Sequence, residues 1–171
     1  MTLTDTTAAV IPDFDSETPD GRKLAIVCSK GSLDMAYPGL VLANAALGEG
    51  IETHLFFTFW GFEIINKKTM RDLRFTSLVN SSVWQSSTDH NDPGDAAAAT
   101  VRLRESIAGV GAPEVPDFLD QIVAAGGRLW ACRMSADMNS LTEDDLYDDV
   151  EAIISASDFI EKTDGAQIIF I

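Results

Sequence analysis

The chain is poor in cysteine, histidine and positive charge, and each scarcity excludes something. Its 171 residues hold two cysteines, Cys28 and Cys132, and two histidines, His54 and His90. Two thiols so far apart make neither the disulfide framework of a small secreted domain nor a zinc site with paired ligands. The histidines stand far from each other and from both cysteines, so no metal centre and no other cofactor is expected. Lys and Arg number 12 against 27 Asp and Glu, a net charge of −15. Such a surface repels nucleic acid and anionic lipid. No apolar run reaches the roughly 18–20 residues of a membrane-spanning helix. The longest candidate, IETHLFFTFWGFEII, is interrupted by Glu52, His54 and Glu63. Neither nucleic acid nor a membrane is therefore an expected partner. The opening MTLTDTTAAVIPDFDSETPDG lacks a basic stretch followed by an apolar one, so it does not read as a signal peptide. Its Thr, Asp and Pro content predicts a flexible acidic tail over 1–20, and the cytoplasm is the default address.

What is present is an alternation of short apolar runs with helical patterns. Lys23–Ser29 and Ile51–Thr58 read as buried strands, rich in β-branched and aromatic residues. Between them Leu33, Tyr37, Leu40, Val41, Asn44 and Leu47 recur at helical spacing up to Gly48 and Gly50. Pro38 places the start of the regular helix close to itself. WGFEIINKK reads as a short second helix. An irregular and helical insertion is expected over about 69–113: a long loop to Pro93, then an alanine-rich helix capped by Asp95 and ended by Gly109. EVPDFLDQIVAAGG is the clearest helix, with Val115, Phe118, Leu119, Ile122 and Val123 on one stripe and Pro116 in its first turn. RLWACRM follows as a third strand, and Ser140 with Glu143 has the spacing of a capping box opening another helix. The last stretch divides into a strand at Val150–Ile154, a helix around Ser157–Lys162 and a strand at Gln167–Ile171, in preference to one long helix. The expectation is an α/β fold over 21–171: one domain with an open, mainly parallel five-stranded sheet and helices on both faces.

Both cysteines fall at or beside the C-terminal end of a strand, the edge where open α/β sheets gather ligands. A 2-1-3-4-5 strand order would make the first and third strands neighbours, and the two thiols would flank one crevice. Cys28 ends a continuous apolar strand, where a thiol usually fills space. Cys132 stands where a strand gives way to a helix. Backbone N–H groups there favour an anion, and Arg133 is adjacent, surroundings that raise the thiolate fraction. SKGSLD after the first strand is a turn able to cradle an anion, although it has neither G-x-G-x-x-G nor P-loop spacing. Ser29 and Ser32 read as turn and cap residues, and G-x-S-x-G is absent. His54 reads as a hydrogen-bonded structural histidine, Trp60 and Trp130 as core or subunit contacts, and TEDDLYDD as a solvated face.

Two long segments carry a resemblance. VCSKGSLDMAYPGLVLANAALGEGIETHLFFTFWGFEIINKK is similar to the N-terminal half of the DsrE/DsrF-like family. The likeness is to its DsrE-like branch, which opens S-K-G-[ST]-L-D-M-A-Y-P and has a second strand F-F-T-F-[WY]-G. LWACRMSADMNSLTEDDL resembles that branch's A-C-x-M-[ST] segment, with Met138-Asn139 where the pattern closes M-G. The polar, Met-poor middle region also differs from the branch. The resemblance implies a flavodoxin-like fold and a cytoplasmic homo-oligomer, a trimer or a multiple of one. It implies a role in sulfur relay, with sulfane sulfur held as persulfide or thiosulfate and exchanged with TusA-like or rhodanese-like proteins. The motif cysteine falls on Cys132, while Cys28 precedes the S-K-G motif as a possible second thiol. Ser29, Gly31, Tyr37, Arg133 and Ser135 are the residues expected to shape the pocket. Two functions follow: a sulfurtransferase or sulfur carrier acting through Cys132, or a non-catalytic oligomeric scaffold with its thiols buried. A peroxide-reducing thiol protein ranks third, because the T-x-x-C element of that chemistry is missing.

Overall fold

The computed structural model describes residues 21–75 and 93–171. The expected acidic tail and most of the expected long loop, His90 included, lie outside the described residues. Five apolar runs become strands: β1 (Lys23–Cys28), β2 (Glu52–Phe57), β3 (Arg128–Cys132), β4 (Val150–Ile154) and β5 (Gln167–Phe170). They form one sheet, every pairing parallel, in the order β4-β3-β2-β1-β5. Among the described residues five α-helices accompany them: α1 (Leu33–Gly48), α2 (Pro93–Gly109), α3 (Val115–Ala124), α4 (Arg133–Asn139) and α5 (Ala156–Lys162). No helix among the described residues is long and apolar enough to cross a membrane.

The strand order follows from handedness. From β1 to β4 each strand is laid one place further in the same direction, and right-handed crossovers put those connections on one face. β5 returns to the far side of β1, so its connection crosses the other face. Accordingly α1 and α3 pack together on one side, where Leu40, Ala43, Leu119 and Ile122 are fully buried. On the other side, Phe159 of α5 stacks on Phe56 with ring centroids 4.5 Å apart, and Lys162 Nζ lies 4.8 Å from the Trp130 ring centre. This order differs from 2-1-3-4-5, because β2 separates β1 from β3. Val27, Phe56 and Trp130 share one register line, as do Cys28, Phe57 and Ala131. Strand alternation therefore aims Cys28 at α1 and carries Thr58 and Cys132 to the α5 face.

Several local expectations shift. α1 begins at Leu33 and runs through Pro38, whose missing N–H removes one rung while Leu33, Ala36, Leu40 and Ala43 keep the buried face continuous. WGFEIINKK reduces to a 3₁₀ turn over Phe59–Ile64. The alanine-rich helix starts at Pro93, which puts Asp95 inside it rather than at its cap. Ser140 ends a helix instead of opening one. α4 starts directly after Cys132, Ser140 closes it at φ +51, and the capping box belongs to Thr142 and Asp145 around a 3₁₀ turn at Glu143–Asp145.

Two glycines lock the C-terminal ends of β1 and β2 together. A Cβ on Gly61 would stand 2.0 Å from the Cys28 carbonyl oxygen, and one on Gly31 2.1 Å from the Trp60 carbonyl oxygen. The turn after β2 is thus pressed backbone-to-backbone onto the turn after β1. Gly61→Ala is expected to lower stability by about 1–3 kcal/mol in urea unfolding, the usual cost of overpacking. Gly48→Ala, with nothing within 4 Å of the added methyl, should leave stability unchanged or raise it by about 0.4–1 kcal/mol.

Candidate functional site

Cys132 is the last residue of β3 and the N-cap of α4, with φ −74 and ψ 121. Next to it in the sheet, β2 ends and Thr58 follows. The chain then turns sharply at Phe59, which adopts φ +49, a left-handed conformation uncommon for a bulky residue. Ser135, in the first turn of α4, bridges the two. Its Oγ accepts a hydrogen bond from Phe59 N at 2.8 Å and lies 3.3 Å from Thr58 Oγ1. Its carbonyl accepts from Asn139 Nδ2 at 2.8 Å.

This nest sets the chemistry of the thiol. Burial pushes the Cys132 thiol up and is the largest single influence. Hydrogen bonds from the Thr58 hydroxyl, from the backbone and hydroxyl of Ser135 and from Met134 N together outweigh it. The net direction is below the ordinary thiol value, so the thiolate is favoured. Because Ser135 Oγ already accepts the Phe59 N–H, its own proton is left to donate. Cys132 is only 4% exposed and belongs to the hydrophobic core cluster, with the Thr58 and Ser135 hydroxyls and the first N–H groups of α4 acting on its thiol. Side chains around it are open: Met134, Met138, Phe59 and Trp60 are all exposed, Trp60 by 68%. Ser135, Met138 and Asn139 form one wall of a cleft of about 480 Å³, and Phe59, Trp60 and Phe62 form the other.

Cys28 has the opposite surroundings. It is buried, a Cβ on Gly39 of α1 would stand 3.1 Å from its sulfur, and burial alone pushes its thiol up to about 12. The structure does not bring the two cysteines together. They lie two strands apart, about 9–10 Å by strand spacing, and face opposite sides of the sheet. A disulfide needs Cα atoms within about 7 Å.

The other expected pocket residues scatter. Ser29 follows β1, its Oγ donating to the Ile171 carbonyl at 2.8 Å. Gly31 supplies the close approach to Trp60 described above. Tyr37 donates to the Pro113 carbonyl at 2.8 Å and packs on Phe118, between α1 and α3. Arg133 donates to the Ile153 carbonyl of β4, so adjacency in sequence does not bring its charge to the sulfur. Only Ser135 stands at Cys132. Thr58 and Phe59 were not singled out in the sequence. Their signal was the position after β2, inside F-F-T-F-W-G, which points at Cys132 only once β2 is known to be the neighbour of β3. His54 lies at the other end of β2. Its Nδ1 accepts from Trp130 Nε1 at 3.1 Å, which leaves Nε2 protonated and donating to Glu52 at 2.8 Å.

Comparisons with known proteins match the chain to the DsrE/DsrF/DrsH-like family over residues 20–171. A sulfur carrier protein, DsrE2 of Allochromatium vinosum, is 30% identical over 146 residues, covering 81% of this chain and 91% of that protein. The uncharacterized protein YrkE of Bacillus subtilis is 23% identical over 159 residues, covering 90% of this chain and 99% of its own length. Two solved structures share the fold, each covering 88% of this chain and all of its own. MTH1491 of Methanobacterium thermoautotrophicum, a protein of unknown function, has a TM-score of 0.56 at 12% identity. The ychN protein of E. coli has a TM-score of 0.52 at 14% identity.

The nest predicts a pH profile. Alkylation by iodoacetamide follows the thiolate, so its rate rises as pH passes through the thiol's pKa. At Cys132 the midpoint is expected below the ordinary value of about 8.5. Thr58→Val and Ser135→Ala should each move it to higher pH and slow the reaction near neutrality by about threefold to tenfold. Cys28 should react only after unfolding. An unchanged profile in both variants would remove the nest as the cause.

Proposed function

The chain belongs to the DsrE/DsrF/DrsH-like family, and from that premise we propose that it relays sulfur, carrying a sulfane sulfur atom as a persulfide on Cys132. The observation that carries this reading is the place of Cys132 at the end of β3 and the N-cap of α4, beside Thr58 and Ser135, whose groups push its thiol below the ordinary value. Likeness to a named sulfur carrier over most of both chains supports it. The thiolate attacks the sulfane sulfur of a donor, a new sulfur–sulfur bond forms at Cys132, and the donor leaves as the thiolate. If thiosulfate is the donor, the leaving group is sulfite. Discharge is the reverse type of step, in which an acceptor thiolate attacks the outer sulfur and Cys132 leaves. Departure gains from a lowered thiol pKa, whereas attack gains only up to a point, since nucleophilicity falls with it. TusA-like and rhodanese-like proteins are the exchange partners this chemistry fits.

A homo-oligomer is part of the same proposal, and one surface supports it. β5 is an edge strand, and Ile168 and Phe170 on it are exposed, as is Ile160 of α5. An unpaired edge beside an apolar patch is the kind of surface that a second copy covers. Phe170→Glu is expected to reduce the mass seen by light scattering.

Intact mass after incubation with inorganic polysulfide or thiosulfate tests the relay. Wild type and Cys28→Ala should gain mass that is lost on reduction, and Cys132→Ala should gain none. A wild type that stays unmodified with both donors would leave the rival, a non-catalytic oligomeric scaffold.

A further inference from the structure

Among the described non-glycine residues two adopt a positive φ, Ser140 and Phe59. Ser140 closes α4, a common use of that conformation. Phe59 ends no helix. It opens the turn after β2, beside the thiol, and a bulky residue held there stores conformational strain. Its N–H donates to Ser135 Oγ at 2.8 Å, and that hydroxyl also acts on the Cys132 thiol together with Thr58. The far end of the turn is fixed. Gly61 N donates to the Thr58 carbonyl at 2.9 Å, and the close approaches at Gly61 and Gly31 hold the backbone on either side. The stretch able to change is Phe59–Trp60, whose side chains are exposed with ring centroids 6.0 Å apart.

We propose that this turn is a load-sensing switch: a sulfur atom added to Cys132 displaces the Ser135 hydroxyl from the Phe59 N–H, the turn relaxes, and the aromatic pair is presented differently at the surface. The inference rests on the relay reading above and adds to it a signal by which an acceptor protein tells a loaded carrier from an empty one. An added sulfur stands about 2.05 Å from Sγ, and a close-packed interior holds no spare room for it. Cys132 belongs to the core cluster, so a neighbour must yield. Thr58 is a poor candidate, because it is buried and continues the central strand. Ser135 is a better one. It lies in the first turn of a helix of seven residues, and its hydroxyl moves by rotation about one bond. Charge acts in the same direction. In a persulfide anion the charge resides on the outer sulfur, so the hydroxyl proton follows it outward and the oxygen lone pair leaves the Phe59 N–H. Strain then decides the outcome, since a turn without its acceptor has a downhill route out of the left-handed conformation. No covalent bond changes in the turn itself; the chemistry is confined to Cys132.

The full chain is tested empty, after inorganic polysulfide, and after methyl methanethiosulfonate, from which the Cys132 thiolate takes S–CH3 while methanesulfinate leaves. Intact mass gives the occupancy of Cys132, and amide hydrogen exchange over Thr58–Gly61 is followed by mass spectrometry. Both modifications are expected to speed exchange there by about tenfold, the scale of the strain released, with β1 unchanged. Ser135→Ala should exchange fast whether empty or modified. Phe59→Gly, in which the left-handed turn is unstrained, should lose most of the response. A modified protein whose turn exchanges as slowly as the empty one, a slow turn in empty Ser135→Ala, or a full response in Phe59→Gly would each overturn the switch, and a mass gain with polysulfide would still leave the relay standing. A mass gain with methyl methanethiosulfonate but none with polysulfide would remove the relay, and the load signal with it.

Discussion

Ser135 Oγ accepting the Phe59 N–H is the contact on which the site depends. Phe59 is held in a left-handed conformation, which costs a bulky residue on the order of 1–3 kcal/mol. That cost is sustained because the neighbourhood leaves the chain no alternative. Gly61 lies against the Cys28 carbonyl, Gly31 lies under the Trp60 carbonyl, and the hydroxyl of Ser135 takes the N–H that the sharp turn would otherwise bury unpaired. The same hydroxyl, its lone pair occupied, has a proton to turn on the sulfur. Backbone strain after β2 and the state of a thiol at the end of β3 are two aspects of one arrangement.

Position in the sheet gives that arrangement its asymmetry. β2 is the central strand, buried along nearly its whole length, and cannot shift without disturbing β1 and β3 together. Thr58 is therefore a rigid support for the thiol beside it. α4, by contrast, is a short helix with exposed methionines on either side of its buried Ser135 and Ala136. The thiol thus lies between a fixed hydroxyl on one side and a short helix with exposed methionines on the other.

Much of the fold was legible in the sequence, because the apolar runs at Lys23–Cys28, Glu52–Phe57 and Val150–Ile154 are bounded by turn residues and the stripe on α3 is strong. Strand order was not legible. Alternation of strands and helices fixes parallel pairing and crossover hand, but it does not say whether the third strand lies beside β1 or beside β2. That gap separated Cys28 from Cys132 and hid Thr58. The capping-box spacing of Ser140 and Glu143 misled for a local reason: the true box, Thr142 with Asp145, lies two residues further on, and only the left-handed Ser140 shows that a helix has already ended there. The place of Cys132 at a strand-to-helix junction could be read from the apolar run before it, and Ser135 beside it from the A-C-x-M-[ST] resemblance. Arg133 could not, because its side chain finds a carbonyl on β4 that no linear pattern reveals.

The placement of the two thiols on opposite faces of the sheet, with a strand between them, has a consequence for turnover. In the relay proposed above, a sulfur atom carried on Cys132 would find no second cysteine within reach in the same chain, so the loaded state would not collapse into an internal bridge. Its lifetime is set from outside, by how often a suitable nucleophile arrives. Such a relay would behave as a capacitor whose discharge is second order, slow when acceptors are scarce and fast when they are plentiful.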